Sequence, residues 1–98
     1  MTFDVRLRKE AEQDLEDAAL WYEAQSQGLG HEYLGAVEAT LSQIAENPSM
    51  YPLVHRSTHR ALIRKFPFGI YYRVVGNSII VIAVLHGSRH PRRWKMRS

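Results

Sequence analysis

Five side chains crowded near the C-terminal end are equipped for chemistry: His86, Arg89, His90, Arg92 and Arg93, within the stretch HGSRHPRRWKMR. An imidazole gives or takes a proton near neutral pH, and a guanidinium holds a phosphate or carboxylate through two parallel hydrogen bonds. His86 and Arg89 follow directly on the apolar run from Ile79 to Leu85. Such a strand end is a place where a rigid scaffold presents side chains. The plainer role for His86 is to cap the sheet and bond a carbonyl, with Arg89 at the surface. A metal pair of His86 and His90 would lack further ligands, because no acid follows Met50 and the chain has no cysteine. No metal or cofactor is expected.

Two further groups accompany the tail. If HRALIRKF is a strand, alternation puts Arg60, Leu62 and Arg64 on one side and Ala61, Ile63 and Lys65 on the other. With Arg73 from the next strand and Arg89 from the last, one sheet edge would carry a positive groove; scattered, solvated arginines are the alternative. Among the aromatic residues most are needed for packing in so small a core. Tyr71 and Trp94 are the two singled out as candidates for stacking on a partner.

The net charge of +3 conceals a sharp division. All ten acids precede Met50, beside three bases; the ten remaining bases and four of the five histidines follow it. A merely soluble surface mixes its signs, so a half-chain of uncompensated cations points to a polyanion or an acidic protein as partner. At 98 residues one domain over 1–98 is expected. Without cysteine there is no disulfide framework, and no apolar segment is long enough for a membrane span. The early charges of MTFDVRLRKEAEQ do not suit a signal peptide, so the expected location is cytoplasmic.

The elements that would position these groups are legible from periodicity. FDVRLR alternates as a half-buried strand does. From about Lys9 to Gln25, Ala11, Leu15, Ala18, Tyr22 and Gln25 recur by threes and fours behind a cluster of acids, predicting a helix whose N-terminal dipole favours carboxylates. The glycines of SQGLGH stop it. A second helical pattern, Tyr33 or Leu34, Val37, Leu41 and Ile44, ends at ENPSMYP, taken as a stop and nothing more. RALIRKF, IYYRVV and SIIVIAVLH then read as strands, the last two joined by a tight Gly-Asn hairpin. The unalternating run Ile79 to Leu85 predicts a strand buried on both faces or central in its sheet. The order is β-α-α-β-β-β, an α+β domain with a helical hairpin on a mostly antiparallel twisted sheet.

Taken together, that order of elements, DLEDAALWY in the first helix, IAENPSMYP closing the second, RKFPFGIYYRV across the hairpin strands and the terminal VLHGSRHPRRW resemble the RelE/ParE superfamily of toxins from bacterial type II toxin-antitoxin modules. The ending His, two residues, Arg, one residue, Pro, two residues, Trp is the most specific part. The resemblance covers nearly the whole chain. It implies a basic toxin kept inactive by a cognate antitoxin whose acidic, disordered segment wraps it. Members of the RelE type cleave messenger RNA on the ribosome; by that resemblance Arg64, Arg73, His86 and Arg89 would be the catalytic positions. Members of the ParE type poison DNA gyrase and need no proton-transfer set. Here Gly87 follows His86 in place of the terminal His-Tyr pair of some nucleases, and FPF and IYYRV look closer to the ParE side. The resemblance therefore implies gyrase inhibition, with a ribosome-dependent endoribonuclease as the alternative. Arg60, Arg64, Arg73, Tyr71, Arg89, Arg92, Arg93 and Trp94 would grip target or antitoxin. The acid-rich first helix would face solvent or a second copy in a homodimer.

Overall fold

The computed structural model of the chain describes residues 2–97. Strand β1 (Asp4–Leu7) leads into helix α1 (Lys9–Gln25) and helix α2 (Leu29–Glu46), then a 3-10 turn at Pro48–Met50. Strands β2 (Leu53–His55), β3 (Thr58–Leu62), β4 (Phe68–Val75) and β5 (Ser78–His86) follow, and helix α3 (Arg92–Lys95) ends the fold. The five strands form one sheet in the order β1-β5-β4-β3-β2, with β1 parallel to β5 and the other pairs antiparallel. Among the described residues no helix is long and apolar enough to cross a membrane.

Ala11, Leu15, Ala18 and Tyr22 lie on one stripe of α1, and Tyr33, Val37 and Ile44 on one stripe of α2; both press on the same face of the sheet. Gly28, at φ 88, makes the left-handed turn between the helices. The Glu23 carboxylate accepts from the N–H groups of Gly28 and Gly30, at 2.9 and 3.0 Å, and so satisfies the start of α2. Gly30 therefore belongs to the helix and not to the loop suggested by SQGLGH. A Cβ there would stand 2.5 Å from the Ala19 carbonyl oxygen, so only glycine allows the two helices this approach.

Two strand expectations are corrected. β2 has only three residues and no alternation long enough to recognise; it pairs with β3 through the tight turn at Arg56. β3 ends at Leu62, and Arg64 and Lys65 lie in the β3–β4 turn with Lys65 at φ 71. Alternation therefore stops before Arg64, which does not share a strand face with Arg60. The 3-10 turn is also more than a stop: the Tyr72 hydroxyl donates to the Pro48 carbonyl at 2.5 Å, tying the end of α2 to the centre of the sheet.

The unpatterned run in β5 has a geometric cause. The register with β4 steps from Tyr71↔Ala83 to Tyr72↔Val81, leaving Ile82 as an extra residue. Ile79, Val81 and Val84 consequently face the helices, whereas Ile82, Ala83 and Leu85 face the opposite side. There Trp94 of α3 stacks on Tyr71 of β4, with ring centroids 4.6 Å apart and planes 19° apart.

Candidate functional site: a cleft between the first helix and the C-terminal tail

A cleft of about 950 Å³ opens between α1 and the segment that leaves β5. Asp14, Asp17 and Trp21 line it from α1; His86, Arg89, His90 and Arg93 line it from the tail; Phe68 and Leu85 belong to the sheet between them. The walls thus differ in sign. Trp21, 59% exposed, is a large apolar surface at the helix side.

Local hydrogen bonds orient both histidines. The Ser88 backbone N–H donates to His86 Nδ1 at 2.9 Å, and the Ser88 hydroxyl lies 2.8 Å from the same atom. The Arg92 N–H donates to His90 Nδ1 at 3.1 Å. With Nδ1 accepting, the neutral form of each ring carries its proton on Nε2. Phe68 meets the His86 ring edge-on at 5.3 Å, a contact that holds it at the strand end. Pro67 donates no N–H here but accepts one from Gly87 at 2.8 Å, pinning the turn after β5.

The candidate arginines fall into three sets. Arg89, Arg92 and Arg93 are exposed and, among the described residues, meet no carboxylate. Arg60 and Arg73 stand half-buried on the sheet face away from the helices, Arg60 with its stem against Gly69 and Arg73 with Nε buried and unpartnered. Arg64 lies in the β3–β4 turn. The expected groove of Arg60, Arg64, Arg73 and Arg89 is therefore not one surface: the cleft gathers His86 and Arg89 and adds Arg93, while neither Arg64 nor Arg73 lines it. Arg92 is exposed on α3 outside the cleft lining. Tyr71 and Trp94 are 4% and 5% exposed, each covering the other's ring, so neither offers a free face for stacking.

Arg97 has a largely buried partner. It meets Asp14 at 2.6 Å, with side chains 18% and 10% exposed. Asp14, Asp17 and Trp21 were the missed residues of this site. They share a spacing of three and four on α1, a second stripe beside the apolar one, and that periodicity is the signal that would have found them.

Residues 5–91 match the family described as the ParE toxin of the type II toxin-antitoxin system parDE. Among solved structures, the chromosomal ParDE toxin-antitoxin system of P. aeruginosa contains a chain of 16% identity and TM-score 0.68, the match covering 87% of this chain and 96% of that one. The RelBE2 toxin-antitoxin complex of Mycobacterium tuberculosis contains another, at 16% identity and TM-score 0.64, covering 88% and 99%. A doubly substituted E. coli RelE toxin in the free state matches at 13% identity and TM-score 0.59, covering 90% and 86%. At such identities these likenesses concern the fold. No curated protein sequence matches.

Proposed function

This chain belongs to the ParE toxin family of type II toxin-antitoxin systems, and on that premise we propose that it stops growth by gripping DNA gyrase, breaking no bond in its target, until a cognate acidic antitoxin covers it. The observation that carries this reading is the dispersal of the groups a nuclease would need. Cleavage of a phosphodiester asks for a proton-transfer residue and cations around one phosphate. Of Arg64, Arg73, His86 and Arg89, only His86 and Arg89 share the cleft. A binding poison has no such requirement. Exposed Arg89, Arg92 and Arg93, with Trp21 across the cleft, supply charge and apolar area instead.

The antitoxin reading draws on the same charges. A tail with three exposed guanidinium groups that meet no carboxylate among the described residues is complementary to an acidic segment. The ribonuclease alternative keeps one point in its favour: His86 Nε2, beside Arg89, has the chemistry of a general acid next to an anion holder.

Induction of the chain in cells without antitoxin separates the two. Gyrase poisoning produces DNA-damage signalling with intact messenger RNA, and His86→Gln changes the growth arrest less than about threefold. Loss of a general acid or base would instead reduce cleavage by about 10² or more. Fragmented messenger RNA before any damage signal, abolished by His86→Gln, would overturn the gyrase reading.

A further inference from the structure

We propose that Asp14 and Arg97 are positioning residues which stand in for a missing strand at the open edge of β5 and thereby hold the cationic tail as one wall of the cleft. β1 stops at Leu7, opposite Val81. The Arg8 N–H, donating to the Val81 carbonyl at 3.0 Å, is the last rung from that side. Beyond it the edge of β5 still presents the Ile82 carbonyl and the Val84 N–H. A continuing strand would answer with one donor and one acceptor. Side chains do so here: Arg97 Nη1 donates to the Ile82 oxygen at 3.2 Å, and Asp14 Oδ2 accepts from the Val84 N–H at 3.0 Å.

The two side chains are also joined to each other, Arg97 Nη1 to Asp14 Oδ2 at 2.6 Å and Nη2 to Oδ1 at 3.3 Å. The Arg97 carbonyl accepts from Arg8 Nη1 at 2.6 Å, so the backbone of the tail is caught as well as its side chain. An exposed ion pair would do little. This one is largely buried, and its polar atoms are answered by backbone, which is the condition under which a buried pair is tolerated and the loss of one partner is severe.

Its place in the fold gives it a role beyond stability. Asp14 sits on the helix that forms one wall of the cleft; Arg97 ends the segment that forms the other. Between His86 and Arg97 the tail is also held at its start by the Gly87 N–H on the Pro67 carbonyl and at Trp94 by the stack on Tyr71; the Asp14–Arg97 pair ties its far end to α1. The pair therefore sets the separation of the walls, and with it the placement of Arg89 and Arg93. The functional part of this inference rests on the proposal that the cleft is the gripping surface.

Amide hydrogen exchange on the full chain tests the clamp directly, using Asp14→Asn, Arg97→Gln and the milder Arg97→Lys. In the first two, amides of residues 87–93 should exchange at least tenfold faster while Ile70 and Tyr72 keep their parent rates; Arg97→Lys, which retains a donor, should recover most of the protection. Faster exchange spread evenly over β4 and the tail means stability alone, and an unchanged tail means no clamp; either overturns the proposal. In cells without antitoxin, Arg97→Gln should need at least tenfold more expression to arrest growth, with Arg97→Lys between it and the parent. A loosened tail with undiminished arrest would also overturn positioning. A parent chain that arrests nothing would sink the toxin reading instead, leaving the exchange result to decide the clamp.

Discussion

The two faces of the sheet are built by different means. On the helix side Tyr33, Val37, Ile44, Ile70, Tyr72 and Val81 are enclosed in one cluster, with Tyr22, Phe66 and Phe68 adding edge-on aromatic contacts at 5.0–5.3 Å. On the other side five buried residues, Tyr71, Ile82, Ala83, Leu85 and Trp94, form a small cluster roofed by a helix of four residues. The first face gives the domain its stability. The second keeps a short, charged tail in place. The segment resting on the second can be loosened without unfolding the domain.

Substitutions on each side sharpen or break this contrast. Ile70→Ala, in the helix-side core, should cost about 3–4 kcal/mol, a large part of the margin of a domain this size, and lower the urea midpoint of the whole transition. Trp94→Ala should cost about 2–3 kcal/mol, below the full cost of an enclosed tryptophan because the tail can detach. Its urea transition should keep the helices cooperative while tail amides lose protection. An equal loss from both would mean that the two faces are one core. Gly30→Ala tests the helical hairpin by the same denaturation. Helix propensity favours alanine by about 1 kcal/mol, but the added Cβ meets the Ala19 carbonyl at 2.5 Å, so a net loss of about 1–3 kcal/mol is expected.

The smallest effects distinguish two buried tyrosines. Tyr72→Phe removes the bond to Pro48 and should cost about 1 kcal/mol. Tyr33→Phe should be close to neutral, since the Tyr33 hydroxyl is buried without a partner. Burial pushes both hydroxyls well above the ordinary tyrosine value, with a lesser push on Tyr33 from the charges of Tyr22 and Asp14 and on Tyr72 from Tyr51. A raised folded-state pKa means that stability is intact below the unfolded value and falls as pH rises above it. The loss of stability should therefore begin near pH 10. Tyr33→Phe removes one of the two titrations, so alkaline unfolding followed by far-ultraviolet circular dichroism should move to higher pH.

Much of the helix side was legible because period and composition agree there. The α1 stripe from Ala11 to Gln25 and the Gly76-Asn77 turn each carry a local signal strong enough to fix an element. The other side was less so. β2 is too short to alternate, α3 is one turn of RRWK, and the extra residue at Ile82 reverses parity midway through β5. RALIRKF reads as one strand through Arg64 because it is rich in apolar and β-branched residues, and nothing local announces the left-handed turn at Lys65. The charge asymmetry was visible in the chain, but its distribution was not. Asp14 and Arg97 lie 83 positions apart, so only the closed sheet brings them together.

The parallel pairing of β1 with β5 has a consequence for the birth of the molecule. Asp4 to Leu7 wait for Ser78 to Val81, and until those late residues leave the ribosome the first strand has no strand to pair with. The helical hairpin is complete much earlier and needs only local contacts. A nascent chain therefore exposes one finished half while the other does not yet exist, and the sheet closes only after synthesis is nearly over.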